Sequence, residues 1–97
     1  MMANRVYRRY QCAFEAGEDK LDLEVTGLDL RHGAVHLLTS DAGMAMALKH
    51  GISADVLHEF PGNLDPSCLV KGLGWAISIK QTSTIEPVWR QRDVINQ

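Results

Sequence analysis

The sequence predicts a two-layer α+β domain: an antiparallel sheet of four to five strands, opening with an N-terminal three-strand meander, with two short helices on one face. Three observations predict it. Apolar residues alternate from Val6 to Phe14 and again through Leu21, Leu23 and Val25, which is the period of half-buried strands. The stretch "DAGMAMALKHGISADVLHEF" at 41–60 turns to helix-forming residues broken by a Gly-Ile-Ser corner. From 69 to 80, "LVKGLGWAISIK" returns to alternation. At 97 residues the chain makes one domain, 1–97, large enough to bury a core without metals or disulfides but with little surplus stability.

In the first strand Val6, Tyr10, Cys12 and Phe14 share even parity, with Arg8 interrupting that face. The second, "KLDLEV", buries odd positions, so an even set must meet an odd one across a hairpin. Pairing Phe14 with Leu21, Cys12 with Leu23 and Tyr10 with Val25 satisfies this around "EAGEDK", whose Gly17 and Asp19 suit a tight loop. Parity then changes, since Leu28 and Leu30 are even, and a bulge at Gly27 accounts for the shift. A two-residue turn at His32-Gly33 would pair Arg31 with Ala34, Leu30 with Val35 and Leu28 with Leu37, completing the meander.

Ser40 or Thr39 caps a first helix over 41–50, Asp41 favours its positive end, and Gly51 supplies a left-handed stop. Ser53 caps a second helix reaching about Phe60, Pro61-Gly62 turns, and 61–67 is loop. A further strand follows with Trp75, Ile77 and Ile79 on one face, a short strand preceding it. From about 82 to 97 the sequence is polar and peripheral, with Pro87 placed to start a short helix carrying Val88, Trp89 and Val94.

Composition narrows the function classes. With 45% apolar and 23% charged residues, the chain resembles an ordinary soluble domain, and no stretch approaches the roughly 18 consecutive apolar residues of a membrane span. "MMANRVYRRY" has arginines but no apolar core after them, so no secretory signal is read and a cytoplasmic location is expected. Cys12 and Cys68 form no C-x-x-C pair and read as reduced, buried thiols. A net charge of −2 argues against a dedicated polyanion binder. The charge is uneven: Arg5, Arg8 and Arg9 precede a stretch holding Glu15, Glu18, Asp19, Asp22, Glu24 and Asp29 against Lys20. Opposite charges pairing across adjacent strands on a solvated face explain this most simply.

Residues 41–60 resemble a helix-turn-helix. Ala47 lies four positions before Gly51, and Ile52, Leu57 and Phe60 resemble the pinning positions of that family. The resemblance implies a DNA-binding regulator. Its recognition helix would be "SADVLHEF", whose Asp55, His58 and Glu59 offer carboxylates to a phosphate backbone and few donors to base edges. No helix is read before residue 41 to complete a trihelical core. A second resemblance rests on Arg5-x-x-x-Arg9 and "DLRHGA" at 29–34, which resemble the R-x-x-x-R and D/N-x-S-x-x-G motifs of PilZ domains. That likeness implies a β-barrel whose paired arginines, Arg5 and Arg9, grip a cyclic dinucleotide. Here the second motif is one residue short and Arg31 stands where serine belongs. A separate alternative is a small-molecule or nucleotide pocket with Arg5, Arg9 and Arg31 as anion- or ligand-binding residues.

Other chemistry is weaker. His32 and His36 are four apart, but the meander puts one in a turn and the other on a strand, so no metal site is read. No histidine falls beside Cys12 or Cys68 as a base, and Gly72-x-Gly74 lacks a third glycine for a phosphate loop. No cofactor and no enzymatic activity are expected. The first helix carries the strongest signal. Met44 and Leu48 are neighbours at i, i+4 while Met46 projects away from them, and alanines fill the rest. A helix apolar nearly all round needs cover, from the C-terminal segment through Trp89 or from another chain. The expected function is thus a non-enzymatic interaction module, homodimeric or docked to a protein partner through Met44, Met46, Leu48 and Trp89.

Overall fold

A computed structural model describes residues 6–63 and 65–85. It is a two-layer α+β structure: a four-stranded antiparallel sheet with its helices packed against one face. The strands are β1 (Tyr7–Ala16), β2 (Asp19–Gly27), β3 (Ser67–Gly72) and β4 (Trp75–Ile85), in the order β2-β1-β4-β3. Between β2 and β3 lie α1 (Leu30–Thr39), α2 (Asp41–Lys49) and a short 3₁₀ helix, Ala54–Glu59.

The first hairpin pairs Phe14 with Leu21, Cys12 with Leu23 and Tyr10 with Val25, as the parity argument requires. Tyr10, Cys12, Phe14 and Ala16 are buried under the helices together with Ile77 and Ile79. The opposite face is open and polar, carrying Arg9, Gln11, Glu15, Asp22, Glu24 and Lys80, and Arg9 meets Glu24 there at 3.9 Å. Cys12 and Cys68 flank Ile79 from either side. Two strand spacings of roughly 4.8 Å separate them, beyond the span of a disulfide, and both thiols are free.

The expected third meander strand is a helix. Residues 30–39 form α1 because Leu30, Ala34 and Leu37 recur at helical spacing and all three are buried, while the Asp29 carboxylate accepts the His32 N–H at 2.8 Å as an N-cap. Gly33, read as a turn residue, lies inside α1, where an added Cβ would come 3.3 Å from the Tyr10 ring. Its bareness lets the helix lie close on the sheet. The bulge also moves. β2 runs regularly to Gly27, and the register shift falls at Arg9/Tyr10 where β1 meets β4. The helical layer therefore has three elements, not two. β3 and β4 form a hairpin, and β4 continues through residues 82–85 that were expected to be peripheral. The short helix expected after Pro87 lies outside the described residues.

Side chains tie the strand–helix junction together. The Arg8 guanidinium donates to the Val6 and Leu28 carbonyls, each at 3.1 Å, and His32 Nδ1 accepts the Leu28 N–H. Arg8 thus interrupts the apolar parity to satisfy the backbone carbonyls just before β1 and just after β2. One core group lacks a partner: the buried Tyr10 hydroxyl has none among the described residues, and burial raises its pKa above 10.0. A desolvated hydroxyl without a hydrogen bond is costly. Tyr10→Phe is accordingly expected to stabilise the fold by about 1 kcal/mol, read as a higher midpoint in urea at an unchanged slope; a lower midpoint would mean that the hydroxyl is bonded.

Candidate functional site

Two helices joined without a linker build the site. Ser40 ends α1 and starts α2: its hydroxyl donates to the Leu37 carbonyl at 2.7 Å and accepts the Gly43 N–H at 3.1 Å. Gly43 is buried at this corner, and a Cβ there would collide with the Leu37 carbonyl oxygen. After α2 the chain turns through Gly51 at φ +68, a left-handed conformation suited to glycine. The Ile52 N–H bonds back to the Ala47 carbonyl at 2.8 Å, and Ser53 caps the 3₁₀ helix through the Asp55 N–H at 3.1 Å.

These turns leave a cleft of about 610 Å³ on the outer side of the helical layer. Leu38, Met44, Ala45, Leu48, Ile52 and Leu57 line it, with Asp41 and Ser53 at its polar margin. Met44 is 51% exposed and Leu48 85%. Large apolar side chains that border a concave apolar surface are characteristic of binding sites. Met46 lies elsewhere, half-buried against the core and beside Leu21 and Lys49 in a separate cleft. Of the residues expected to form an interface, the structure brings together Met44 and Leu48, turns Met46 inward, and leaves Trp89 outside the described residues. Leu38, Ile52 and Leu57 form the missed wall. Leu38 was hidden by the strand reading of α1, although its spacing from Ala34 was visible.

The carboxylate of Asp19 anchors α2 to the first hairpin, accepting from Lys49 Nζ at 2.9 Å and His50 Nε2 at 2.7 Å. Hydrogen bonds from Lys49 and then His50 hold the Asp19 carboxyl below its ordinary 3.8. The stabilisation from this contact is therefore present above that ordinary value and lost as pH falls through the lower native one. Asp19→Asn is accordingly expected to lower stability at pH 7 and to flatten its loss as pH falls below the ordinary 3.8, read by urea unfolding followed by circular dichroism across that range. A variant as stable as native chain at pH 7, with the same acid dependence, would show that the contact contributes nothing.

The other candidates separate. Arg5 lies outside the described residues, Arg9 faces the open side of the sheet, and Arg31 sits on α1 with Nε donating to the Phe60 carbonyl at 2.9 Å. Arg9 and Arg31 thus occupy different layers, and the motif at 29–34 lies on a helix, so the described residues do not assemble the pocket a PilZ likeness implies. The would-be recognition helix is a six-residue 3₁₀ helix, two turns long, with Asp55, His58 and Glu59 exposed.

His32 and His36 share α1, contrary to the turn-and-strand placement, with ring centroids 4.8 Å apart. His32 Nδ1 accepts a backbone N–H, whereas a metal-ligating histidine usually donates from its second nitrogen. Among the described residues no group of three or more potential ligands gathers. Burial pushes the Cys12 thiol up to about 11, and burial followed by Asp65 raises that of Cys68. Both sulfurs are protonated and weakly nucleophilic at neutral pH. No helix among the described residues is long and apolar enough to cross a membrane. No family model matches the chain, and neither a curated protein nor a solved structure shows significant similarity to it.

Proposed function

We propose that the chain is a non-enzymatic protein-interaction module, acting in a reducing, cytoplasmic setting, whose apolar cleft takes the apolar face of a helix from another chain. The observation that carries this reading is the pairing of exposed Met44 and Leu48 with the concavity beside them. Helix-in-groove recognition needs an apolar channel with a few protruding side chains and small residues between them. Ala45 and Ala47 are the small lining residues between Met44 and Leu48 along α2, and methionine adapts to varied partner surfaces. The nine residues of α2 give a channel wall of roughly 13 Å, about two to three helical turns.

A labelled amphipathic leucine–lysine helix is the probe for this reading, followed by fluorescence anisotropy. Native chain is expected to bind it, and Leu48→Glu to weaken binding at least about tenfold, since burial of a leucine is worth roughly 1.5–3 kcal/mol. Leu48 is 85% exposed, so the substitution should leave the thermal midpoint nearly unchanged. Binding indifferent to Leu48→Glu, or no binding at all, would defeat the proposal.

A further inference from the structure

We infer that the helix this cleft takes is α2 of a second copy of the chain, packed antiparallel about a two-fold axis at Ala45; the inference rests on the helix-docking reading above. Two rows on α2 carry it. Asp41, Ala45 and Lys49 are spaced i, i+4, i+8, and Met44 and Leu48 form the adjoining i, i+4 row. All five are exposed. The first row has opposite charges at its ends and its smallest side chain in the middle.

Turning a copy through a two-fold axis at Ala45 lays Asp41 of each α2 beside Lys49 of the other. Both ends are then complementary at once, whereas a parallel pairing in register sets like charges together. Ala45 at the axis lets the backbones approach, and the row of Met44 and Leu48 enters the apolar cleft of the opposing copy. Such isologous contact is the usual geometry of a closed dimer. Lys49 already donates to Asp19 at 2.9 Å, but an ammonium has three donors and serves both carboxylates. One short helix and one cleft per copy fall at the small end of specific interfaces, so the dimer should be weak, with a dissociation constant on the order of 100 μM.

Sedimentation equilibrium of the full chain tests this with three variants, Ala45→Arg, Asp41→Lys and Lys49→Glu. Native chain is expected to show a monomer–dimer equilibrium, and Ala45→Arg, at an exposed position, to remain monomeric with its thermal midpoint retained. Asp41→Lys and Lys49→Glu alone each set like charges opposite one another. Mixed, they restore both complementary pairs and should associate about tenfold more tightly than either alone. Should Lys49→Glu unfold through loss of its Asp19 contact, Ala45→Arg alone decides. Native chain that stays monomeric to about 1 mM, well above the expected constant, or a dimer unaffected by Ala45→Arg, overturns the inference. Monomeric chain that still binds the leucine–lysine helix overturns only the second copy as occupant; loss of that binding as well overturns the docking reading too.

Discussion

Gly43→Ala is expected to destabilise the fold by about 3 kcal/mol, which for a domain of this size lowers the thermal midpoint by about 15 °C. The cause is steric. A methyl at residue 43 would occupy the space of the Leu37 carbonyl oxygen, a backbone atom, and press on Ser40 Oγ at 2.9 Å, which its hydrogen bonds to Leu37 and Gly43 hold in place. To admit it, α2 must swing away from α1, breaking the Ser40 hydrogen bonds that cap both helices. The direction is informative because alanine is a better helix former than glycine by up to about 1 kcal/mol. A neutral or stabilising Gly43→Ala, measured by urea unfolding, would mean that the two helices do not meet this closely, and the shape of the cleft would have to be redrawn.

Phe60→Ala should cost about 4 kcal/mol, a large share of the stability of a small domain. Phe60 is fully buried at the end of the 3₁₀ helix, and its carbonyl receives the Arg31 guanidinium. It therefore fixes the segment carrying Ile52 and Leu57 to α1 both by packing and by a hydrogen bond. Truncation should loosen that wall, so binding of the leucine–lysine helix should weaken even under conditions where most chains remain folded. Unfolding in urea gives the first quantity and anisotropy at low temperature the second. A loss below about 1 kcal/mol would show that the segment is held by something other than this ring.

Much of the sheet was legible because strand parity constrains pairing so tightly. Even positions in β1 had to meet odd ones in β2, and one register satisfied Phe14, Cys12 and Tyr10 together. α1 was obscured by the same logic carried too far. Leu28 and Leu30 continued an alternation, and His32-Gly33 looked like a turn, but the spacing of Leu30, Ala34 and Leu37 and the Asp29 cap were the competing signal. Gly33 misled because its purpose is tertiary: it clears the Tyr10 ring, which no local pattern reveals. At the cleft, Met44 and Leu48 were legible from their i, i+4 spacing. The inward turn of Met46 followed only once β2 was placed beneath it, and the wall made by Leu38 and Leu57 depended on the missed helix.

The outer face of α2 and its cleft are the interaction surface we propose for this chain. The most direct measurement is an amide chemical-shift map of isotopically labelled chain titrated with the leucine–lysine helix. Perturbations should cluster at Leu38, at residues 41–48, at Ile52 and at Leu57, leaving Gln11, Glu24 and Lys80 on the open sheet face unmoved. Perturbations centred on that open face, or none at the cleft while the helix binds, would place the binding surface elsewhere and overturn the proposal.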